Sequence, residues 1–101
     1  MIKHIVMWKV EANKNFGTKE EIMVRMKDEL ENLAGKIEGL LEIEVGININ
    51  ENSAAYDVVL YSTFENMDSL NYYQNHELHK AVGVNLIKLV TISRVVVDYT
   101  V

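Results

Sequence analysis

The sequence predicts an α+β fold with the element order βαββαβ, the ferredoxin-like arrangement. Three observations carry that prediction. Short β-branched segments open and close the chain, an amphipathic run follows a capping signature at Thr18, and two alternating segments flank the turn Asn50-Glu51-Asn52-Ser53.

Ile2–Val10 is the first strand. Ile2, His4, Val6, Trp8 and Val10 share one face of an extended chain, and Lys3, Ile5, Met7 and Lys9 share the other. The polar members of the second face lie at its ends, as in a strand covered on both sides at its middle. Residues 13–17 read as a loop. Thr18-Lys19-Glu20-Glu21 then has the S/T-x-x-E form, in which the first and fourth residues satisfy each other's free backbone amides. Ile22, Met26, Leu30, Leu33 and Ile37 recur at helical spacing, which predicts a helix over about 18–36 with Gly35 and Gly39 as stop signals.

Residues 40–50 form the second strand. Leu41, Ile43, Val45, Ile47 and Ile49 alternate with Glu42, Glu44, Gly46, Asn48 and Asn50, the pattern of a half-buried strand at or near an edge. Residues 55–64 alternate again and complete an antiparallel hairpin. Asn66 is suited to cap a helix, and Asp68 falls in the first turn, where the helix dipole favours a carboxylate. The helical stretch over about 66–90 passes through Leu70 and Tyr73, then Leu78, Val82, Leu86 and Val90, as one helix or as two broken near Asn75. Residues 91–100 are the last strand.

A sheet of this topology carries both helices on one face. The other face is expected to present Ile5, Met7, Val59, Tyr61 and Val96, a surface too apolar to leave in water. A second copy of the same sheet, related by a two-fold axis, is the simplest cover. The expected assembly is a homodimer.

Length and composition narrow the function. A chain of 101 residues is the size of one domain, read as a single domain over 1–101. Hydrophobic residues at 49% and charged residues at 25% describe a folded chain. Ten Lys and Arg against fifteen Asp and Glu give a net charge of −5, which disfavours nucleic-acid and anionic-membrane partners. With no cysteine, disulfides, thiolate metal sites and thiol nucleophiles are excluded. Lys3, His4 and Lys9 interrupt the apolar N-terminal stretch, which argues against a signal peptide. No apolar run approaches the ~20 residues of a spanning helix. The expected location is the cytoplasm.

Four segments carry a family resemblance: Met1-Ile-Lys-His-Ile-Val-Met-Trp-Lys9, Tyr56-Asp-Val-Val-Leu-Tyr-Ser-Thr-Phe64, Tyr73-Gln-Asn-His76-Glu-Leu-His79 and Ser93-Arg-Val-Val-Val-Asp-Tyr99. Together, in this order and spacing, they resemble the stress-responsive A/B barrel (Dabb) family over almost the whole chain. The resemblance implies a ferredoxin-like protomer whose sheet pairs with a second sheet in a dimeric α+β barrel. One departure stands out. Glu77 occupies a position where the family usually has proline, which leaves the aim of His76 open.

The resemblance also implies candidate site residues. One branch of the family contains cofactor-free polyketide cyclases in which a Tyr and a His from the second helical segment act as an acid/base pair. The matching positions are Tyr73 and His79, and His4 matches a histidine that lines the same cavity. The chemistry is sufficient as it stands. Neutral imidazole exchanges protons near pH 6.5, and a phenol can donate a hydrogen bond to an enolate oxygen. His4, His76, Val6 and Trp8 are the expected ligand contacts, with His76 also placed to bond free amides at a helix start. Three histidines without H-x-E-x-H spacing, and with His76 and His79 three apart, do not predict a metal site, and the Asn–Trp–His set of a haem site is not matched. No cofactor is expected. The acidic residues Glu20, Glu21, Asp28, Glu29 and Glu31 read as a solvated helix face. The resulting expectation is a homodimer that binds a small hydrophobic or aromatic molecule between helices and sheet, with cyclase- or isomerase-like catalysis as the alternative.

Overall fold

The computed structural model describes residues 1–101. Strand β1 (Ile2–Val10), helix α1 (Lys19–Glu31), the hairpin strands β2 (Leu40–Ile47) and β3 (Val58–Phe64), helices α2 (Met67–Asn75) and α3 (Glu77–Val82), and strand β4 (Thr91–Thr100) follow in order. Between α3 and β4 the chain continues through a π-helical segment, Gly83–Ile87, and a last helical turn α4, Lys88–Val90. The four strands form one antiparallel sheet in the order β2-β3-β1-β4. This is the ferredoxin-like α+β fold.

The capping box forms as the sequence predicts: Glu21 N–H donates to the Thr18 hydroxyl at 3.1 Å, and Thr18 N–H donates to the Glu21 carboxylate at 2.9 Å. Ile22, Met26 and Leu30 of α1 are buried against Ile2, Val6, Trp8 and Val10 of β1, with Leu60 and Phe64 of β3 and Leu70, Tyr73 and Leu86 from the second helical region. All these strand residues lie on one face, so the helices cover one side of the sheet. Helix α1 ends at Glu31, earlier than the periodicity suggests. Leu33 and Ile37 are buried all the same, in a succession of turns that uses Gly35 and Gly39 at positive φ. Gly39 is required twice over, because its φ is +86° and a Cβ there would lie 2.4 Å from the Ser69 hydroxyl.

The strand expectations need correction, beginning with the third, which starts at Val58 and not at residue 55. The second strand ends at Ile47, not at residue 50, and Ile49 is exposed. The asparagines account for this. The Asn48, Asn50 and Asn52 side-chain oxygens each accept from the backbone N–H two residues on, at 2.8–2.9 Å, and this run of Asx turns draws the segment off the sheet. A register shift between Leu40 and Glu42 turns Leu40 into the core and leaves Leu41 exposed, so the even alternation read across Leu41 does not hold. Finally, Val96 faces the helix side, not the open side. It pairs with Val6, whereas Val95 and Val97 pair with Met7 and Ile5. Residues directly opposed across two strands share a face, so the open side carries Ile5, Met7, Val59 and Tyr61 with Val95, Val97 and Tyr99.

The acidic face of α1 is also more than solvated surface. Glu31 accepts from Lys27 at 2.8 Å and from Val45 N–H at 2.9 Å, and Lys27 donates to the Val45 carbonyl at 2.7 Å. The pair thus satisfies both backbone groups of Val45 on the outer edge of β2.

Candidate functional site

The sheet and the second helical region together position the candidate residues. Strand β1 brings His4, Val6 and Trp8 to the helix side, and β4 sets Asp98, Val96 and Arg94 directly opposite them. The aromatic part of the site comes from α2 and α3, which are separate helices because the backbone turns extended at His76 (φ −71°, ψ 138°). Tyr73 lies before this break and His79 after it. Their rings are 4.3 Å apart between centroids, and Phe64 lies 4.9 Å from Tyr73. The His4 ring meets Tyr73 edge-on at 6.4 Å.

A cleft of about 290 Å3 opens between this region and the sheet. Val6 and Trp8 form part of its wall, with His4 and His79; Gly83 and Ile87 of the π-helical segment and Lys88, Thr91 and Arg94 complete much of the rest. Tyr73 does not line it. The phenol is fully buried and packs against His79, one layer in from the cleft. His76 does not line it either. Its Nδ1 accepts from Leu78 N–H at 3.1 Å, capping α3, while its ring packs edge-on against Tyr72. His76 thus lies outside the cleft wall, and its Nδ1 serves as the cap of α3. Glu77 fills the first turn of α3, and the helix start is kept without a proline.

Three polar atoms in this region lack a hydrogen-bond partner in the protein: Trp8 Nε1, the Tyr73 hydroxyl and His79 Nδ1. Such atoms are rare in folded proteins, and three in one neighbourhood mark it as a place for chemistry or binding. Burial lowers the pKa of His79. The Gln74 backbone pulls the other way, and electrostatic repulsion from the His4, Arg94 and His76 side chains adds to the lowering. His79 is therefore neutral at pH 7 and able to accept a proton. Burial pushes the Tyr73 phenol above its usual range, so it stays protonated and can donate. His4 differs from both, because Asp98 binds its Nδ1. That contact leaves Nε2 as the free ring nitrogen of an almost fully buried imidazole. No group of three or more His, Asp or Glu side chains is gathered as a metal site would need.

Sequence reasoning missed Asp98, Arg94 and Lys88. A signal existed for the first, a lone carboxylate after the apolar run Val95-Val96-Val97, but its pairing with His4 depends on a register that only the sheet sets.

The family model of the stress responsive A/B barrel domain matches residues 2–101. The chain belongs to the stress responsive A/B barrel (Dabb) family. A dimeric protein of unknown function and ferredoxin-like fold from Bacteroides fragilis is 33% identical, with a TM-score of 0.85 over 99% of this chain and 95% of that one. A dimeric ferredoxin-like protein from Jannaschia is 25% identical, with a TM-score of 0.76 over 99% and 98%. The hydroxynitrile lyase of Passiflora edulis shares the fold at 12% identity and a TM-score of 0.80, over 99% and 92% of the chains. No curated protein matches the chain by sequence. No helix is long and apolar enough to cross a membrane.

Proposed function

We propose that this Dabb chain is a homodimer in which each protomer binds a small hydrophobic or aromatic molecule in the cleft between the second helical region and the sheet. One observation carries the binding reading: unpartnered buried polar atoms of Trp8 and His79 belong to residues that wall a cleft of about 290 Å3, close to the lower size of small-molecule sites at ~300 Å3. Apolar walls supply affinity there, and a few unsatisfied polar atoms fix orientation.

The dimer reading rests on the open face of the sheet. Met7, Val95, Val97 and Tyr99 are 37%, 40%, 58% and 43% exposed, and they form one stripe with Ile5, Val59 and Tyr61. Such a stripe favours a second sheet over water. A larger hollow of about 520 Å3 opens on the same side, between Met7, Val59 and the loop of the β2–β3 hairpin. It lies away from His4, His79 and Tyr73, and a partner sheet would lie against it. The dimeric relatives support the same assembly.

Catalysis is the second reading. The contact between neutral His79 and protonated Tyr73 favours a proton-transfer reaction beside a carbonyl, of the cyclase or isomerase type. In that role His79, on the cleft wall, takes the proton, and Tyr73 packs behind it and holds its ring, with no cofactor required. That a lyase shares the fold is consistent with this reading and carries no more weight than fold likeness allows.

A thermal-shift screen over aromatic and β-keto compounds tests binding, since a ligand of the native state raises the melting temperature by mass action. Hits whose shift disappears in Gly83→Leu, which fills the cleft wall, support it; hits indifferent to that change refute it. For the assembly, Val59→Asp buries an unpaired charge if two sheets meet there, at a cost of several kcal/mol. Sedimentation as a monomer is the expected result, and an unchanged dimer places the interface elsewhere. His79→Ala tests catalysis: a fold-neutral loss of roughly 10²–10⁴-fold in turnover on a confirmed substrate supports a base, and unchanged turnover removes it.

A further inference from the structure

We infer that the cleft selects a small apolar molecule bearing one carboxylate, held by Arg94 and the indole N–H of Trp8; this rests on the binding reading above. Three observations converge. Trp8 is 4% exposed, lines the cleft, and its Nε1 has no partner in the protein. An indole N–H can only donate, so the atom that completes it must be an acceptor. Arg94 is the residue directly opposite Trp8 across the β1–β4 ladder, on the same face of the sheet, and it too lines the cleft. Their side chains start within about 4.5–5.5 Å of each other, as cross-strand partners do, so one group can engage both.

The third observation is charge. The chain carries −5 overall, yet the ionisable residues that line this cleft are Arg94 and Lys88 with the histidines His4 and His79, and no carboxylate is among them. Neither Arg94 nor Lys88 makes an ion pair, whereas Lys19, Arg25 and Lys27 each hold an acidic partner. Asp98, the acid on the same face of β4, is taken up by His4. A carboxylate accepts at two oxygens and donates at none when ionised. It therefore complements a planar guanidinium beside a lone N–H, with its apolar body toward Val6, Leu30 and Leu60. A neutral amide of the same shape brings two donors to a wall that already offers donors, and loses the charge-assisted contact.

Trp8 is the sole tryptophan, so its emission reports the site directly. The test titrates phenylacetate and phenylacetamide, and octanoate and octanamide, into the full-length protein at fixed ionic strength, by fluorescence and calorimetry. Each acid is expected to bind at least roughly tenfold more tightly than its amide, the share of one charge-assisted hydrogen bond. Arg94→Gln, on an exposed position of β4, should collapse that ratio toward one, and Arg94→Lys should restore part of it. Trp8→Phe, read by calorimetry, should lower the ratio while keeping an aromatic wall. Equal binding of acid and amide in the unaltered protein, or a ratio indifferent to Arg94→Gln, overturns the anion assignment and leaves the pocket reading standing. Failure of all four compounds to bind overturns both.

Discussion

Replacing Tyr73 by Phe removes one oxygen from the centre of the candidate site, and the structure sets the sign of the effect. The ring is fully buried against Phe64 and His79, and its hydroxyl has no hydrogen-bond partner in the protein. A buried hydroxyl left unsatisfied costs about 1–3 kcal/mol, whereas the ring's packing is unaffected by the change. Tyr73→Phe should therefore be neutral to stabilising, by up to about 1–2 kcal/mol. For a protomer of this size each kcal/mol moves the melting temperature by ~4–8 °C. The assay is thermal and urea unfolding of both proteins at equal protomer concentration, because association makes the midpoint concentration-dependent. Under the catalytic reading Tyr73 acts by packing its ring on His79, which Phe keeps, so turnover on a confirmed substrate should persist in the same variant. A loss of stability above about 1 kcal/mol would refute the reasoning, because it would mean that the hydroxyl is bonded in the native state.

Three further outcomes are expected from other parts of the structure. His79 should titrate by NMR with a midpoint below its ordinary 6.5; since its folded pKa lies under its unfolded one, it leaves stability untouched at neutral pH and removes it as pH falls from the unfolded toward the folded value, and a midpoint at or above 6.5 contradicts the buried, neutral assignment. Asp57 accepts from Lys19 at 2.9 Å and from Val10 N–H at 2.8 Å, contacts that outweigh burial and lower its pKa; its contribution is complete above about pH 4 and lost as pH falls through the lower folded value, so Asp57→Ala should cost about 1–3 kcal/mol at pH 7 and flatten the acid limb of a pH–stability curve. Gly39→Ala should destabilise by at least about 1–3 kcal/mol in chemical unfolding, because φ is +86° and the new Cβ meets Ser69; a change within about ±0.5 kcal/mol would show that the turn relaxes freely.

Some of this molecule is legible in its residues alone because the signals are local. The capping box at Thr18, the N-cap at Asn66 and the periodic burial of Ile22, Met26 and Leu30 depend on neighbours within a turn or two, and they form as the sequence predicts. The order βαββαβ comes from the same local patterns, and the resemblance to the Dabb family places His4, Tyr73 and His79 in one neighbourhood without knowledge of any contact. What the sequence could not settle was parity. A strand's side chains alternate, so a shift of one residue exchanges its faces, and that choice belongs to the pairing partner. The register shift near Leu40 put Leu41 outside, and pairing of β4 with β1 put Val96 on the helix side and Val95 and Val97 on the other. The same pairing set Asp98 against His4 and Arg94 against Trp8, residues about ninety positions apart whose meeting no local pattern encodes. Helix periodicity could not tell that His76 Nδ1 would cap α3, nor that Tyr73 would sit behind His79 and not in the cleft wall. Local chemistry chose the elements; long-range register and packing chose which of their side chains meet.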